Sequence, residues 1–204
     1  MKKLLGLSAL LLVASLPAMA QVSTPRIEVG GGYTFRSFAF PPAFNDAGGV
    51  VNFPRVNMNG WDVNAAFNVT NWLAIAGDVD GTRNSSPDSF EPTVNDTTWV
   101  YTVMGGPRVY PFGHHKITPF AQVLLGHGYL TIYIPPAAGG PFTLSDGSFA
   151  FSAGGGVDAS LGHHFAIRLV EFDYERTAFT AIASPGLSDA NNNFKVKVGA
   201  VIRF

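Results

Sequence analysis

Apolar and polar residues alternate with a period of two in one segment after another. Ile27, Val29, Gly31, Tyr33 and Phe35 alternate with Glu28, Gly30, Gly32, Thr34 and Arg36. Trp61, Val63, Ala65, Phe67 and Val69 alternate with Asp62, Asn64, Ala66 and Asn68. After a tight turn at Thr70-Asn71-Trp72, Leu73, Ile75 and Val79 oppose Asp78, Asp80 and Thr82; a fourth segment sets Trp99, Tyr101, Val103 and Val109 against Thr98, Thr102 and Arg108. Such alternation predicts strands with one apolar and one polar face. The fifth segment, 117–130, is less regular, because Phe120 and Leu124 share a face with Gln122. In the sixth, Phe149, Phe151, Ala153, Val157 and Ala159 oppose Ser152, Gly154, Gly156 and Asp158.

The seventh segment, 165–176, contains a parity conflict. Arg168 falls in one set of alternate positions, and Glu171, Asp173 and Glu175 fall in the other. One β-bulge near Leu169 and Val170 brings all four to one face. The eighth segment places apolar Phe194, Val196, Val198, Ala200, Ile202 and Phe204 opposite Lys195, Lys197 and Arg203.

Connections 37–56, 83–96, 131–147 and 177–191 are long and rich in Pro, Gly, Asn and Ser, whereas 70–72, 112–116 and 160–164 are short. A sandwich has no reason to place every long loop at one end. An outer-membrane barrel does, with long extracellular loops and short periplasmic turns. The predicted fold is therefore all-β: an eight-stranded antiparallel up-and-down transmembrane β-barrel over 21–204. Its lumen would hold Glu28, Arg36, Asp62, Asp78, Asp80, Arg108, Asp158, Arg168, Lys195, Lys197 and Arg203 as ion-pair networks. On the lipid face an Arg or Lys near mid-membrane would cost about 2–4 kcal/mol, so a one-residue slip is heavily penalised.

Composition narrows the class further. Lys2 and Lys3 followed by the apolar run 4–16 and Ala18-Met19-Ala20 read as a cleaved export signal, 1–20. That run is shorter than the ~20 residues a membrane helix needs. Cysteine is absent, and charged residues are only 13% of the chain, so burial and hydrogen bonds must hold the fold. No clustered basic face suggests nucleic acid. No residue pattern calls for a cofactor, and a monomer is expected. Tyr33, Phe35, Trp61, Trp99, Tyr101, Phe149 and Phe204 are placed to form interfacial girdles.

The alternating segments, the loop rhythm and the final aromatic Phe204 resemble the OmpA/OmpX-like family of eight-stranded outer-membrane barrels across essentially the whole mature chain. The resemblance implies a structural or surface-interaction role through the extracellular loops, contact with outer-membrane lipid and lipopolysaccharide, and delivery by the outer-membrane assembly machinery. Phe204, Ile202, Ala200 and Val198 would carry the assembly signal by analogy. No peptidoglycan-binding domain is expected after Phe204, so the resemblance is not expected to carry over the anchoring role of longer family members. Some barrels of this size are lipid-A deacylases or acyltransferases, and His127 with Ser148 or Glu175 could be cast in that role; a narrow solute channel is a further alternative.

Other motifs favour plain readings. His114-His115 and His163-His164 lie in predicted short turns, where solvated side chains are expected rather than metal ligands. Gly154-Gly155-Gly156 lacks the lysine and helix of a phosphate loop. Asn84-Ser85-Ser86 and Asn95-Asp96-Thr97 match glycosylation sequons that a bacterial outer-membrane protein usually leaves bare. Loops 41–54 and 135–141 are apolar enough to touch lipopolysaccharide or a partner.

Overall fold

The computed structural model describes residues 24–44, 48–87, 95–135, 141–182 and 190–204. The export segment 1–20 and parts of the four long connections, including parts of loops 41–54 and 135–141, lie outside the described residues. Strands β1 (Ile27–Phe38), β4 (Val56–Asn68), β5 (Leu73–Pro87), β6 (Asn95–Val109), β7 (Ile117–Ile134), β8 (Phe142–Ser160), β9 (Phe165–Ala178) and β10 (Ala190–Arg203) form one closed barrel. Each pairs antiparallel with its sequence neighbour, and β1 closes the ring on β10. The short strands β2 (Ala43–Phe44) and β3 (Val50–Val51) form a separate ladder within the first long connection.

The period-two pattern becomes an inside and an outside. Glu28, Thr34 and Arg36 of β1 are buried while Ile27, Val29 and Tyr33 are exposed; the same division runs through β4 to β6. On β7, Phe120, Gln122 and Leu124 all point inward. What looked irregular there is therefore an ordinary strand whose lumen face mixes apolar and polar residues. The seventh segment contains the bulge. Val157 pairs with Val170 but Asp158 with Arg168, so Leu169 is the extra residue, and the register with β10 shifts at the same place. Arg168, Glu171, Asp173 and Glu175 are consequently all buried on one face.

The connections depart from the expected rhythm. β5 and β6 remain paired as far as Pro87 and Asn95, and β7 and β8 as far as Ile134 and Phe142. Residues 88–94 and 135–141 join them, spans no longer than the turn 110–116 at the opposite end. Lengths of loops and turns thus do not strictly alternate; the asymmetry lies in how far the strands continue. Arg83, expected in a loop, sits on the exposed face of β5 opposite Asn59 and Trp99. Beyond the lipid both faces of a strand are wet, so ladder hydrogen bonds can extend it without apolar alternation to signal it.

Inside the barrel, apolar residues gather near both ends. Ala66, Ala74, Ala76, Met104, Tyr110, Phe120, Leu124 and Ala150 form one cluster. Phe38, Met58, Val100, Leu130 and Phe179 form a second at the loop end, covered by Phe40, Val56, Ile132 and Ile182. Phe179 and Ile182 belong to the described start of the last long connection, which includes a short 3-10 turn, Thr180–Ile182. At the closing seam Gly32 is required by close approach: a Cβ there would lie 2.0 Å from the Val198 carbonyl oxygen.

Candidate functional site

The lumen between and alongside these clusters is filled by a column of charged side chains supplied by every barrel strand but β7, which adds the neutral Gln122, and by the turn 110–116. At the short-turn end Glu28 accepts a hydrogen bond from the Tyr110 hydroxyl at 3.1 Å. Its carboxylate also lies 2.8 Å from Nε2 of His114 and 3.3 Å from Nε of Arg203. Burial pushes the Tyr110 phenol above its ordinary range, so it acts here as a donor. Arg203 reaches the Ser160 hydroxyl and lies 3.8 Å from Asp158.

Arg168 bridges Asp158 at 2.9 Å and Glu171 at 2.6 Å. The bulge makes this last pair possible, because without it residues three apart on a strand would face opposite ways. Arg168 and Arg108 each hold their guanidinium 4.6 Å from the centre of the Phe120 ring. Arg108 donates to Gln122 Oε1 at 2.9 and 2.7 Å, and Gln122 in turn donates to Glu171 at 2.9 Å.

Further along, Lys197 lies 2.8 Å from Asp78, 3.3 Å from Asp173 and 3.4 Å from Glu171. Lys195 lies 2.7 Å from Asp80 and 2.8 Å from Glu175. Arg36 contacts the same two carboxylates, and Thr102 donates to Asp80 at 2.6 Å. The column ends in neutral groups: Asn193 accepts from the Ala39 amide at 3.0 Å, and Asn191 accepts from the Phe179 amide at 3.1 Å. Above these residues stands the Phe38 and Phe179 cluster.

Two expected members are not ion-paired among the described residues. Asp62 accepts from Thr34 at 3.3 Å and from Asn64 at 2.9 Å, and Arg108 is satisfied by Gln122 and a ring face. In both cases neutral neighbours on the same strand or the next one are closer than any opposite charge. Glu171, Asp173 and Glu175 enter the network in their place. His114, expected to be solvated, is buried against Glu28, because its turn folds back under the barrel; Glu28 inside the wall was the only sequence hint of this.

His127 points outward and packs 4.7 Å from the Tyr129 ring, whereas Ser148 and Glu175 point inward. These three residues do not converge. Among the described residues no group of His, Cys, Asp or Glu is arranged to hold a metal. Val198, Ala200, Ile202 and Phe204 all face outward. The Phe204 amide donates to the Ile27 carbonyl at 2.9 Å, and its own carbonyl accepts from Arg26 at 2.6 Å, so the last residue is part of the closing seam.

The comparisons agree with this architecture. The family model described as outer membrane protein beta-barrel domain matches residues 6–204. A crystal structure of Ail, the attachment invasion locus protein of Yersinia pestis, is similar at 17% identity and a TM-score of 0.59, covering 89% of this chain and 99% of that one. Ail in complex with the heparin analogue sucrose octasulfate matches at 20% identity and 0.58, covering 87% and 97%. Neisserial surface protein A matches at 9% identity and 0.59, covering 89% and 99%. No curated protein sequence gives a significant match.

Proposed function

Because the chain belongs to the outer membrane protein beta-barrel domain family and so resides in the bacterial outer membrane, we propose that it is a non-catalytic, non-conducting barrel that holds a raised sheet at the cell surface as an attachment face. The observation that carries this reading is the overshoot of β5 to β8. These strands run 15, 15, 18 and 19 residues, against 12 to 14 for β1, β4, β9 and β10. About 10 residues suffice to cross the hydrocarbon. The surplus forms a four-stranded sheet above the rim on one side, with Thr131, Tyr133, Thr143 and Ser145 on its surface.

The filled lumen supports the non-conducting part of the reading, since a small barrel's interior is just wide enough for its own side chains. A fold shared with a protein named for attachment, solved with a heparin analogue, is consistent with the attachment part. Trimming tests it: cells carrying the wild type should adhere to heparin-coated or matrix-coated surfaces. Cells carrying a barrel with β5 joined to β6 after Arg83 and β7 to β8 after Thr131 should not. Equal adhesion by both, conductance steps in a planar bilayer, or acyl release from lipid A would each overturn the reading.

A further inference from the structure

The barrel sorts its charges by sign. Every acidic residue among the described ones is buried in the lumen except Asp96 and Asp146, which are half-buried. Every exposed charge among them is a cation: Arg26, Arg55, Arg83, Lys116 and Arg176. Arg26 and Lys116 adjoin the short-turn end, immediately before β1 and β7. The other three lie at the opposite rim. Arg83 and Arg176 come just beyond the roughly 10 residues that a strand needs to cross the hydrocarbon, and Arg55 immediately precedes β4.

Arg55 and Arg176 share one patch of the outer wall. Arg55 donates from Nε to the Ser37 hydroxyl at 2.8 Å and from Nη2 to the Asn192 carbonyl at 2.9 Å, and its guanidinium lies 5.2 Å from the centre of the Phe194 ring. An exposed arginine is ordinarily free to choose among rotamers; this one is fixed in place. Arg176 sits directly across from Asn192 on the neighbouring strand. Tyr174, whose hydroxyl donates to the Asn192 side chain at 2.6 Å, packs against Phe194 on the lipid side of the two arginines. No carboxylate lies within ion-pair range of either guanidinium among the described residues. Two like charges thus flank Asn192, one of them preorganised, at the level where an apolar surface gives way to a wet one.

We propose that Arg55 and Arg176 bind the phosphate of a phosphorylated lipid headgroup in the outer leaflet, with Tyr174 and Phe194 against the part of that lipid that enters the hydrocarbon. Arg55, whose Nε and Nη2 are held by Ser37 and Asn192, keeps Nη1 to donate; guanidinium groups are weakly hydrated and suit phosphate oxygens, and prior fixation of Arg55 lowers the entropy lost on binding. The aromatic rings require an occupant with an apolar portion, which distinguishes a lipid from a free anion. This assignment rests on membrane residence and not on the raised sheet, so it stands or falls separately from the attachment reading.

The test uses the full-length barrel reconstituted in phosphatidylcholine vesicles containing a few per cent of diphosphorylated lipid A, or of the same lipid with its phosphates removed. After gentle extraction, the lipid A remaining on the folded barrel is counted by mass spectrometry. The phosphorylated form should be retained and the dephosphorylated form lost. R55Q/R176Q should retain about tenfold less, as expected for losing two solvent-exposed charge pairs, while R55K/R176K should retain part and R26Q should match the wild type. Heat-shifted gel mobility confirms that each variant is folded. Equal retention by wild type and R55Q/R176Q, or of both lipid forms, would overturn the proposal. So would displacement of the retained lipid A by millimolar inorganic phosphate, which would make the patch a simple anion site.

Discussion

Replacing Lys197 by Met removes the one cation that touches Asp78, Glu171 and Asp173 together. Methionine is close to lysine in length and leaves little void, so the loss is chiefly electrostatic. Glu171 keeps Arg168 at 2.6 Å, but Asp78 and Asp173 have no other cation within ion-pair distance among the described residues. Stranding a buried charge costs about 3–5 kcal/mol. Against a typical total of about 5–15 kcal/mol, Lys197→Met should remove about a fifth or more of the barrel's stability. Urea titration of the protein in detergent micelles, read by heat-shifted gel mobility and tryptophan fluorescence, would show the midpoint falling with little change in slope. Adding Asp78→Asn to Lys197→Met should recover part of the loss, because one unpaired carboxylate is then neutral. Arg26→Gln, at an exposed position, should shift stability by about 0.5 kcal/mol or less. A loss below about 1 kcal/mol for Lys197→Met, or no recovery in the double variant, would refute the view that this column is an electrostatically closed unit.

Phe204→Asp should impair insertion in cells, measured as the protease-resistant membrane fraction, because Phe204 faces outward at the closing seam; Arg203→Gln, buried beside Glu28 and Ser160, should insert and show only reduced stability. Comparable insertion of both variants and the wild type would remove the terminal strand from the assembly signal. Deleting Leu169 should abolish insertion, because Arg168 and the Glu171, Asp173, Glu175 set would then need opposite faces, and an Arg in lipid costs about 2–4 kcal/mol. Leu169→Ala, which keeps the bulge, should insert normally.

Much of the barrel wall was legible because lipid outside and charge inside impose the same two-residue period on every strand. The bulge was readable for the same reason: Arg168 and Glu171 cannot both face inward without it. Signals failed where that contrast disappears. Above the membrane Asn84 to Pro87 and Asn95 to Thr98 pair as strands although nothing in their polarity alternates. Within the lumen, sequence tells that Arg108 points inward but not that Gln122, directly opposite it on the neighbouring strand, is its partner; that depends on the register between β6 and β7. His114 was hidden because a turn residue's burial is decided by how the turn folds beneath the barrel, which no local pattern records. The expected export segment and the loop tips lie outside the described residues.

The ion pairs join positions that are far apart along the chain. Lys195 and Asp80 are separated by 115 residues, Lys197 and Asp78 by 119, and Arg36 and Glu175 by 139. A hairpin such as β4–β5 entering the bilayer alone would carry Asp62, Asp78 and Asp80 with no cation on the same face to meet them, and β9–β10 alone would leave Glu175 and Lys195 only partly matched. Each partial structure is therefore electrically incomplete until the first and last strands meet. Long-range closure of this kind is slow, and here it is also all-or-none. Strand-by-strand entry is penalised by the same residues that later lock the finished barrel, so the chain needs a sheltered, watery setting in which the ring can assemble before lipid surrounds it.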